Sequence, residues 1–77
     1  MKTTYIRLST IQDVRNFVEI VCTSEIEIDL SSGRYVVDAK SIMGIFSLDL
    51  SKPITLHIHA DDANAESIVT ELAPYMV

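Results

Sequence analysis

The sequence predicts an α+β domain in which helices cover one face of a single antiparallel β-sheet. Four segments alternate apolar and polar residues, the pattern of strands that have one buried and one solvated face. Three further segments carry helical spacing of apolar residues or begin with a capping residue. The predicted order is β-α-β-β-α-β-α. Because every strand has one polar face, the helices belong on the apolar side of the sheet and water on the other.

The strands are predicted from alternation with a period of two. In residues 25–30, EIEIDL, the aliphatic residues share one face and the acidic residues share the other. Residues 31–33, SSG, are typical turn residues, so the second and third strands are expected to form a hairpin. The four predicted strands cover residues 3–8, 25–30, 34–38 and 54–60.

The helices are predicted from apolar spacing and from capping residues. The first helix has apolar residues at i, i+3, i+4 and i+7 counted from Val14, which is the stripe of an amphipathic helix. Asp13 is predicted as its N-cap, and Ser41 as the N-cap of the second helix. The predicted helices cover residues 14–22, residues 41–50 and a last segment from about Asp61 to Pro74.

Length and composition indicate one domain, residues 1–77, of an acidic protein. Eleven acidic and six basic residues give a net charge of −5, and no basic cluster suited to a nucleic acid appears. No apolar run is long enough to span a membrane. The absence of an apolar signal core and the single Cys22, expected to be a packed thiol, favour the cytoplasm. We expect a monomer.

The order of elements and residues 40–44, KSIMG, resemble the HPr family, the phosphocarriers of the bacterial phosphoenolpyruvate-dependent sugar phosphotransferase system. In that family a KSIMG-type segment opens the short second helix, after a hairpin with a glycine turn that Gly33 would supply. The resemblance extends over the whole chain, but only this middle segment is specific. It implies an open-faced sandwich, a four-stranded antiparallel sheet of order 1-4-2-3 with three helices on one face. It implies no cofactor and no metal.

The resemblance also implies a phosphohistidine at the start of the first helix, in a G-x-H-A-R-P-A motif. Residues 11–17 read IQDVRNF here, which places Asp13 at the histidine position and Arg15 at the phosphoryl-stabilising arginine. The first 56 residues contain no histidine. The chain is therefore expected to be no enzyme and to act as a regulatory or protein-binding module. The alternative is a divergent phosphocarrier that uses Asp13 or another acceptor.

The only two histidines lie in the fourth predicted strand. His57 and His59 are two residues apart and are expected to face water. If the strand order is that of the family, they are expected to lie beside Glu25, Glu27 and Arg7. Three interpretations remain open: cross-strand ion pairing, a shared metal ion and a relocated phosphoryl acceptor.

Ser41 has two interpretations. As an N-cap it accepts a hydrogen bond from a first-turn N–H group, which is a sufficient structural reason for a serine. In many relatives from Gram-positive bacteria the matching serine is phosphorylated by a dedicated kinase. The resemblance therefore implies that Ser41 is a candidate site of regulatory phosphorylation.

The second helix is too short to bury all of its apolar residues, so part of it is expected to face outward. In the family, the corresponding segment joins the first helix in a surface that binds enzyme I and other proteins. The residues that the resemblance assigns to this surface are Ile42, Met43, Gly44 and Phe46, with Phe17 joining them if its ring is not buried. The implied partners are enzyme I-like, HPr kinase-like or regulator proteins.

Overall fold

The sheet consists of four short antiparallel strands in the order β1-β4-β2-β3, with the helices on one face. The computed structural model describes all of residues 1–77. The predicted element order, strand order and fold class are confirmed. The strands are β1 (Lys2–Ile6), β2 (Ile28–Ser32), β3 (Tyr35–Asp38) and β4 (Ile54–Ile58).

Three α-helices and a final single turn complete the chain. Each α-helix begins after a residue whose side-chain oxygen accepts a first-turn N–H group, which satisfies one of the unpaired donors of a helix start. The helices are α1 (Ile11–Cys22), α2 (Ile42–Phe46) and α3 (Asp62–Glu71), followed by a 3₁₀ turn at Ala73–Tyr75. None of these helices combines the length and the apolar character that a membrane crossing requires.

The core lies between the sheet and the helices and contains only hydrophobic side chains. Ile54, Leu56 and Ile58 of β4 alternate inward, and Phe17 of α1 is fully buried. Each such side chain contributes about 1.5–3 kcal/mol through removal of apolar surface from water. Cys22, predicted to be packed, is exposed, because it follows the last buried residue of the helix stripe and turns toward solvent.

The second strand begins three residues later than predicted. Its register is set by β4, in which Ile58 pairs with Ile28. Beyond that pair, one further backbone hydrogen bond joins the two segments, from the His59 N–H to the Glu27 carbonyl at 2.9 Å. The alternating residues before Ile28 therefore lie outside the ladder. The hairpin itself is confirmed, but its loop is Gly33 with the residue after it, and Gly33 adopts a φ of 59°.

The C-terminal segment covers the outer edge of β1. The Arg7 N–H donates to the Tyr75 carbonyl at 2.8 Å, and the Val77 N–H donates to the Tyr5 carbonyl at 3.1 Å. No pattern in the sequence predicts this extension. The sheet therefore has one edge that is paired with the chain's own C-terminal segment and one edge, that of β3, beyond which no strand lies.

Candidate functional site

The start of α1 is closed by two reciprocal hydrogen bonds. Thr10 is the N-cap, and its Oγ1 accepts from the Asp13 N–H at 3.0 Å. The Asp13 carboxylate in turn accepts from the Thr10 N–H at 3.3 Å and from the Ser9 N–H at 3.0 Å. This arrangement is a capping box, which satisfies donors on both sides of the helix start. The prediction that Asp13 is the N-cap is therefore wrong, because the helix begins one turn earlier and Asp13 is its third residue.

A groove of about 470 Å³ lies beside this helix start. Arg7, Ser9, Asp13 and the C-terminal residues 74–77 line it. The arginine of the groove is thus Arg7, which the sequence analysis did not connect with this place, and its Nη2 also donates to the Ser51 carbonyl at 3.4 Å. Arg15 is exposed on α1, is absent from the groove lining and makes no ion pair.

The start of α2 is simpler. Ser41 is the predicted N-cap, and its exposed Oγ accepts from the Gly44 N–H at 3.2 Å. A Cβ placed on Gly44 would lie 3.2 Å from the Cβ of Val37 and 3.2 Å from the Ser41 Oγ. Gly44 thus has a structural reason within the fold, since it lets α2 approach β3 closely.

The expected partner surface is only partly outside. Met43 is 77% exposed and Phe46 is 42% exposed, whereas Ile42 is half-buried against the core. Phe17 was expected to join this surface only if its ring was not buried. The ring is fully buried and meets Tyr75 edge-on, with ring centroids 6.4 Å apart, so Phe17 is not part of the surface. Ile11, at the first position of α1, is 66% exposed and was missed because it lies off the apolar stripe that marks the helix.

The two histidines lie on the open face of the sheet, opposite the helices. The His57 Nε2 and the Ser31 Oγ are 3.0 Å apart, and the His57 Nδ1 lies 3.5 Å from the Thr3 Oγ1. The His59 Nε2 is 2.6 Å from an Asp29 carboxylate oxygen, the one ion pair of the chain when the imidazole is protonated. Cross-strand pairing is therefore what the structure shows for His59.

The predicted neighbours of the histidines are only partly in place: Glu27 lies opposite His59, whose N–H donates to the Glu27 carbonyl at 2.9 Å. Neither Glu25, Glu27 nor Arg7 forms a side-chain hydrogen bond or ion pair with an imidazole, because β2 begins at Ile28 and presents Asp29 instead. No three His, Cys, Asp or Glu side chains stand close enough to hold a metal ion together. The histidines are also on the opposite side of the sheet from the start of α1.

One carboxyl group of the chain has a clearly shifted pKa. The Ser51 hydroxyl and the Ser51 backbone N–H both donate to Asp49, at 2.5 and 3.0 Å, and these hydrogen bonds lower the pKa of the Asp49 carboxyl below its usual value. Asp49 is in the loop between α2 and β4. These hydrogen bonds close the loop, and Asp49 also lines a second groove, of about 410 Å³, together with Arg34 and Lys52.

Comparison with known proteins gives a consistent result. A family model described as the PTS HPr component phosphorylation site matches residues 13–76. The fold is similar to HPr-C-His from Thermoanaerobacter tengcongensis, with 28% identity and a TM-score of 0.74 over 94% of this chain and 90% of that chain. It is also similar to the phosphocarrier protein HPr from Bacillus anthracis str. Ames, with 26% identity and a TM-score of 0.73 over 99% of this chain and 96% of that chain.

A search among curated protein sequences finds no significant match. The family match nevertheless covers most of the chain and agrees with the strand order and the helix order described above. Proteins of this kind are carriers that interact with other phosphotransferase proteins and are not catalysts. The chain belongs to the HPr family of phosphotransferase-system phosphocarriers.

Proposed function

We propose that this chain is an HPr-family protein without the phosphohistidine and that it acts by binding protein partners. The observation that carries the proposal is the start of α1, where Thr10 is the N-cap and no histidine is present in the first 56 residues. A threonine hydroxyl is a poor nucleophile without an adjacent base, and a threonine phosphoester is too stable to pass a phosphoryl group onward. This place in the fold therefore lacks the chemistry of a carrier.

The placement of the family motif supports the same conclusion. When its third residue is set at the helix start, Thr10 takes the histidine position, Gln12 the arginine position and Asp13 the proline position. This placement differs from the one expected from sequence, which put Asp13 and Arg15 in the first two roles. In either placement the nucleophilic imidazole is missing.

The electrostatics of the helix start favour a regulatory module. The Asp13 carboxylate accepts two N–H groups there and supplies a fixed negative charge at the positive end of the helix dipole. A phosphoryl group would carry about −1.5 to −2 charges at neutral pH. The helix start thus resembles, with a smaller charge, the phosphorylated state of a working carrier. A partner that recognises that state would find it here permanently.

The binding surface in this proposal is the apolar patch, defined as Ile11, Met43 and Phe46. All three are exposed, and α1 and α2 contact each other. Flexible methionine and aromatic side chains at an exposed position suit transient protein contacts. Ile42 and Gly44 lie beneath this patch. Ile42 packs against the core, and Gly44 packs against Val37 of β3.

Phosphoryl transfer provides the direct test. Incubation with enzyme I, labelled phosphoenolpyruvate and Mg²⁺ is expected to leave the protein unlabelled, while an active HPr in the same mixture becomes labelled. A labelled product would contradict the proposal and favour the divergent phosphocarrier. Its stability would then identify the acceptor, because alkali cleaves an acyl phosphate on Asp13 but leaves a phosphohistidine intact.

Restoring the imidazole tests which position is equivalent to the phosphohistidine. The variant T10H/Q12R returns an imidazole to the helix start and an arginine two residues later, so it is expected to accept the phosphoryl group from enzyme I. The matched control D13H places the imidazole one turn inside the helix and is expected to remain unlabelled. Labelling of D13H alone would instead support the placement at Asp13.

Regulatory phosphorylation of Ser41 is a second candidate function. Its hydroxyl is exposed at the start of α2, where the unpaired N–H groups of a helix favour an anion. Incubation with an HPr kinase and labelled ATP is expected to modify the wild type and to leave S41A unmodified. Equal labelling of both proteins would remove Ser41 from consideration.

A further inference from the structure

The two edges of the sheet differ in their protection. The C-terminal segment pairs with β1, but no strand lies beyond β3 in the order β1-β4-β2-β3. Tyr35 and Val36 of β3 are 68% and 66% exposed. Natural edge strands are commonly guarded by charged residues, proline or a covering strand, and of these β3 has only the charge of Asp38 at its end.

The hydrogen-bond phase of β3 shows which of its backbone groups are free. The Ala39 N–H donates to the Ile28 carbonyl at 2.9 Å, so this antiparallel pair is a bonded one. Bonded and non-bonded pairs alternate along the ladder, and Val36 stands opposite Ser31 in a non-bonded pair. The N–H and C=O of Val36 therefore point away from β2, toward the free edge.

We propose that β3 pairs with β3 of a second copy, antiparallel and centred on Val36. In this register each Val36 donates to and accepts from the Val36 of the other copy. Tyr35 then lies opposite the half-buried Val37 of the other copy, which gives its exposed ring an apolar neighbour. Arg34, in the hairpin loop directly before β3, would lie near Asp38 of the other copy on both sides of the two-fold axis, so the segment is complementary to itself in charge.

The charges of this segment are available for such pairing. The chain has one ion pair, between His59 and Asp29, so neither Arg34 nor Asp38 has an ionic partner of its own. Asp38 uses one carboxylate oxygen to accept the Lys40 N–H at 2.8 Å and keeps its charge. The interface is small and each copy carries a net charge of −5, so the dimer is weak and forms at high protein concentration. The monomer expected from sequence is the dilute form.

Proline at position 36 tests the main-chain pairing. V36P removes an N–H that faces the free edge and leaves the ladder to β2 intact, as proline on an edge strand allows. Sedimentation at concentrations up to the millimolar range is expected to show a dimer for the wild type and a monomer for V36P, with unchanged circular dichroism. A wild type that stays monomeric throughout overturns the proposal, whatever else binds this edge.

Charge reversal provides a second test that does not depend on the proline variant folding. R34D and D38R each place like charges opposite each other at two symmetric positions, so each alone is expected to associate about tenfold more weakly. Mixed together they restore two complementary pairs and are expected to form a heterodimer. The control R15D makes the same change in net charge as R34D, but on α1, and is expected to leave the dimer unchanged. A mixture that stays monomeric, or equal weakening by R15D, overturns the proposed register.

Discussion

The starts of α1 and α2 show two ways of closing a helix in the same small protein. The twelve-residue α1 begins with a capping box, in which Thr10 and Asp13 satisfy each other's backbone N–H groups. The five-residue α2 begins with Ser41 alone and has no acidic residue in its first turn. The start of α1 thus already contains an anion, the Asp13 carboxylate, whereas the start of α2 has none. A phosphoryl group is therefore expected at Ser41 before it is expected near Thr10.

The two helices also differ in how they are held. Helix α1 buries Val14, Phe17 and Val21 in the core, but α2 buries only Ile45 within its own length. Helices this short are not stable by themselves, so α2 depends on its contact with β3 and on its cap. The longer helix is therefore expected to stay folded when its cap is lost. The shorter helix has fewer other interactions that hold it in place.

Stability is expected to fall most when Phe17, the buried ring of α1, is removed from the core. Phe17→Ala is expected to lower the free energy of unfolding by about 3–5 kcal/mol, because it removes a fully buried ring and leaves a cavity next to Tyr75. The control Met43→Ala removes a side chain that is 77% exposed and is expected to change stability by about 0.5 kcal/mol or less. Denaturant unfolding measures both. Similar losses for the two variants would contradict the assignment of Phe17 to the core and Met43 to the surface.

A smaller effect is expected where α2 meets β3. Gly44→Ala improves the intrinsic helix propensity by up to about 1 kcal/mol, yet its methyl group would lie 3.2 Å from the Val37 Cβ. Overpacking of this kind typically costs about 1–3 kcal/mol, so the net change is expected to be destabilising. The variant G44A in a V37G background lacks the Cβ that the new methyl group would approach and is expected to recover stability relative to V37G alone. If G44A is stabilising in the wild type, the close approach of α2 to β3 is not what requires the glycine.

The cap substitutions compare the two helix starts directly. Thr10→Ala and Ser41→Ala are each expected to cost about 1 kcal/mol, the usual loss of an N-cap side chain. Because Thr10 and Asp13 bond reciprocally, the double variant T10A/D13A is expected to cost less than the sum of its single variants. The pair T10A and S41A, on different helices, is expected to be additive. Denaturant unfolding of both double-mutant cycles checks this, and additivity in both cycles would argue against a capping box.

The strand faces could be predicted because alternation is a direct consequence of strand geometry, whereas the strand order followed only from the resemblance to the HPr family. Ile54, Leu56 and Ile58 are buried as their pattern requires. The start of α1 could not be placed as well, because its exposed Ile11 does not continue the apolar stripe and the helix was expected to begin at Val14. The spacing of Thr10 and Asp13 was nevertheless a usable signal, since a hydroxyl followed three residues later by an acid is the mark of a capping box.

The candidate site was harder to predict than the fold because it depends on contacts between distant segments. Arg7 reaches the groove beside α1 only because the C-terminal residues return to β1 and form its other wall. Phe17 lies on the buried apolar stripe of α1, and Tyr75 of the C-terminal segment meets its ring edge-on. Neither contact has a periodic pattern in the sequence, whereas Ser41 and Met43 were placed correctly because their positions follow from one short helix and its cap.

A still smaller effect is expected in the loop that follows α2. The start of α2 has no acidic residue, but this loop contains the carboxylate of Asp49. Ser51→Ala removes the hydroxyl that contributes most to lowering the pKa of the Asp49 carboxyl, so that pKa is expected to rise toward 3.8. A carboxyl with a lowered folded-state pKa stabilises the fold above its unfolded pKa, and this contribution is lost as the pH falls through the folded pKa. The stability of the S51A variant is therefore expected to depend less on pH between the folded-state and unfolded-state pKa values of the Asp49 carboxyl. An NMR titration of the Asp49 side chain, with Asp62 as the control carboxyl, measures the change, and an unchanged Asp49 curve would assign the lowered pKa to another cause.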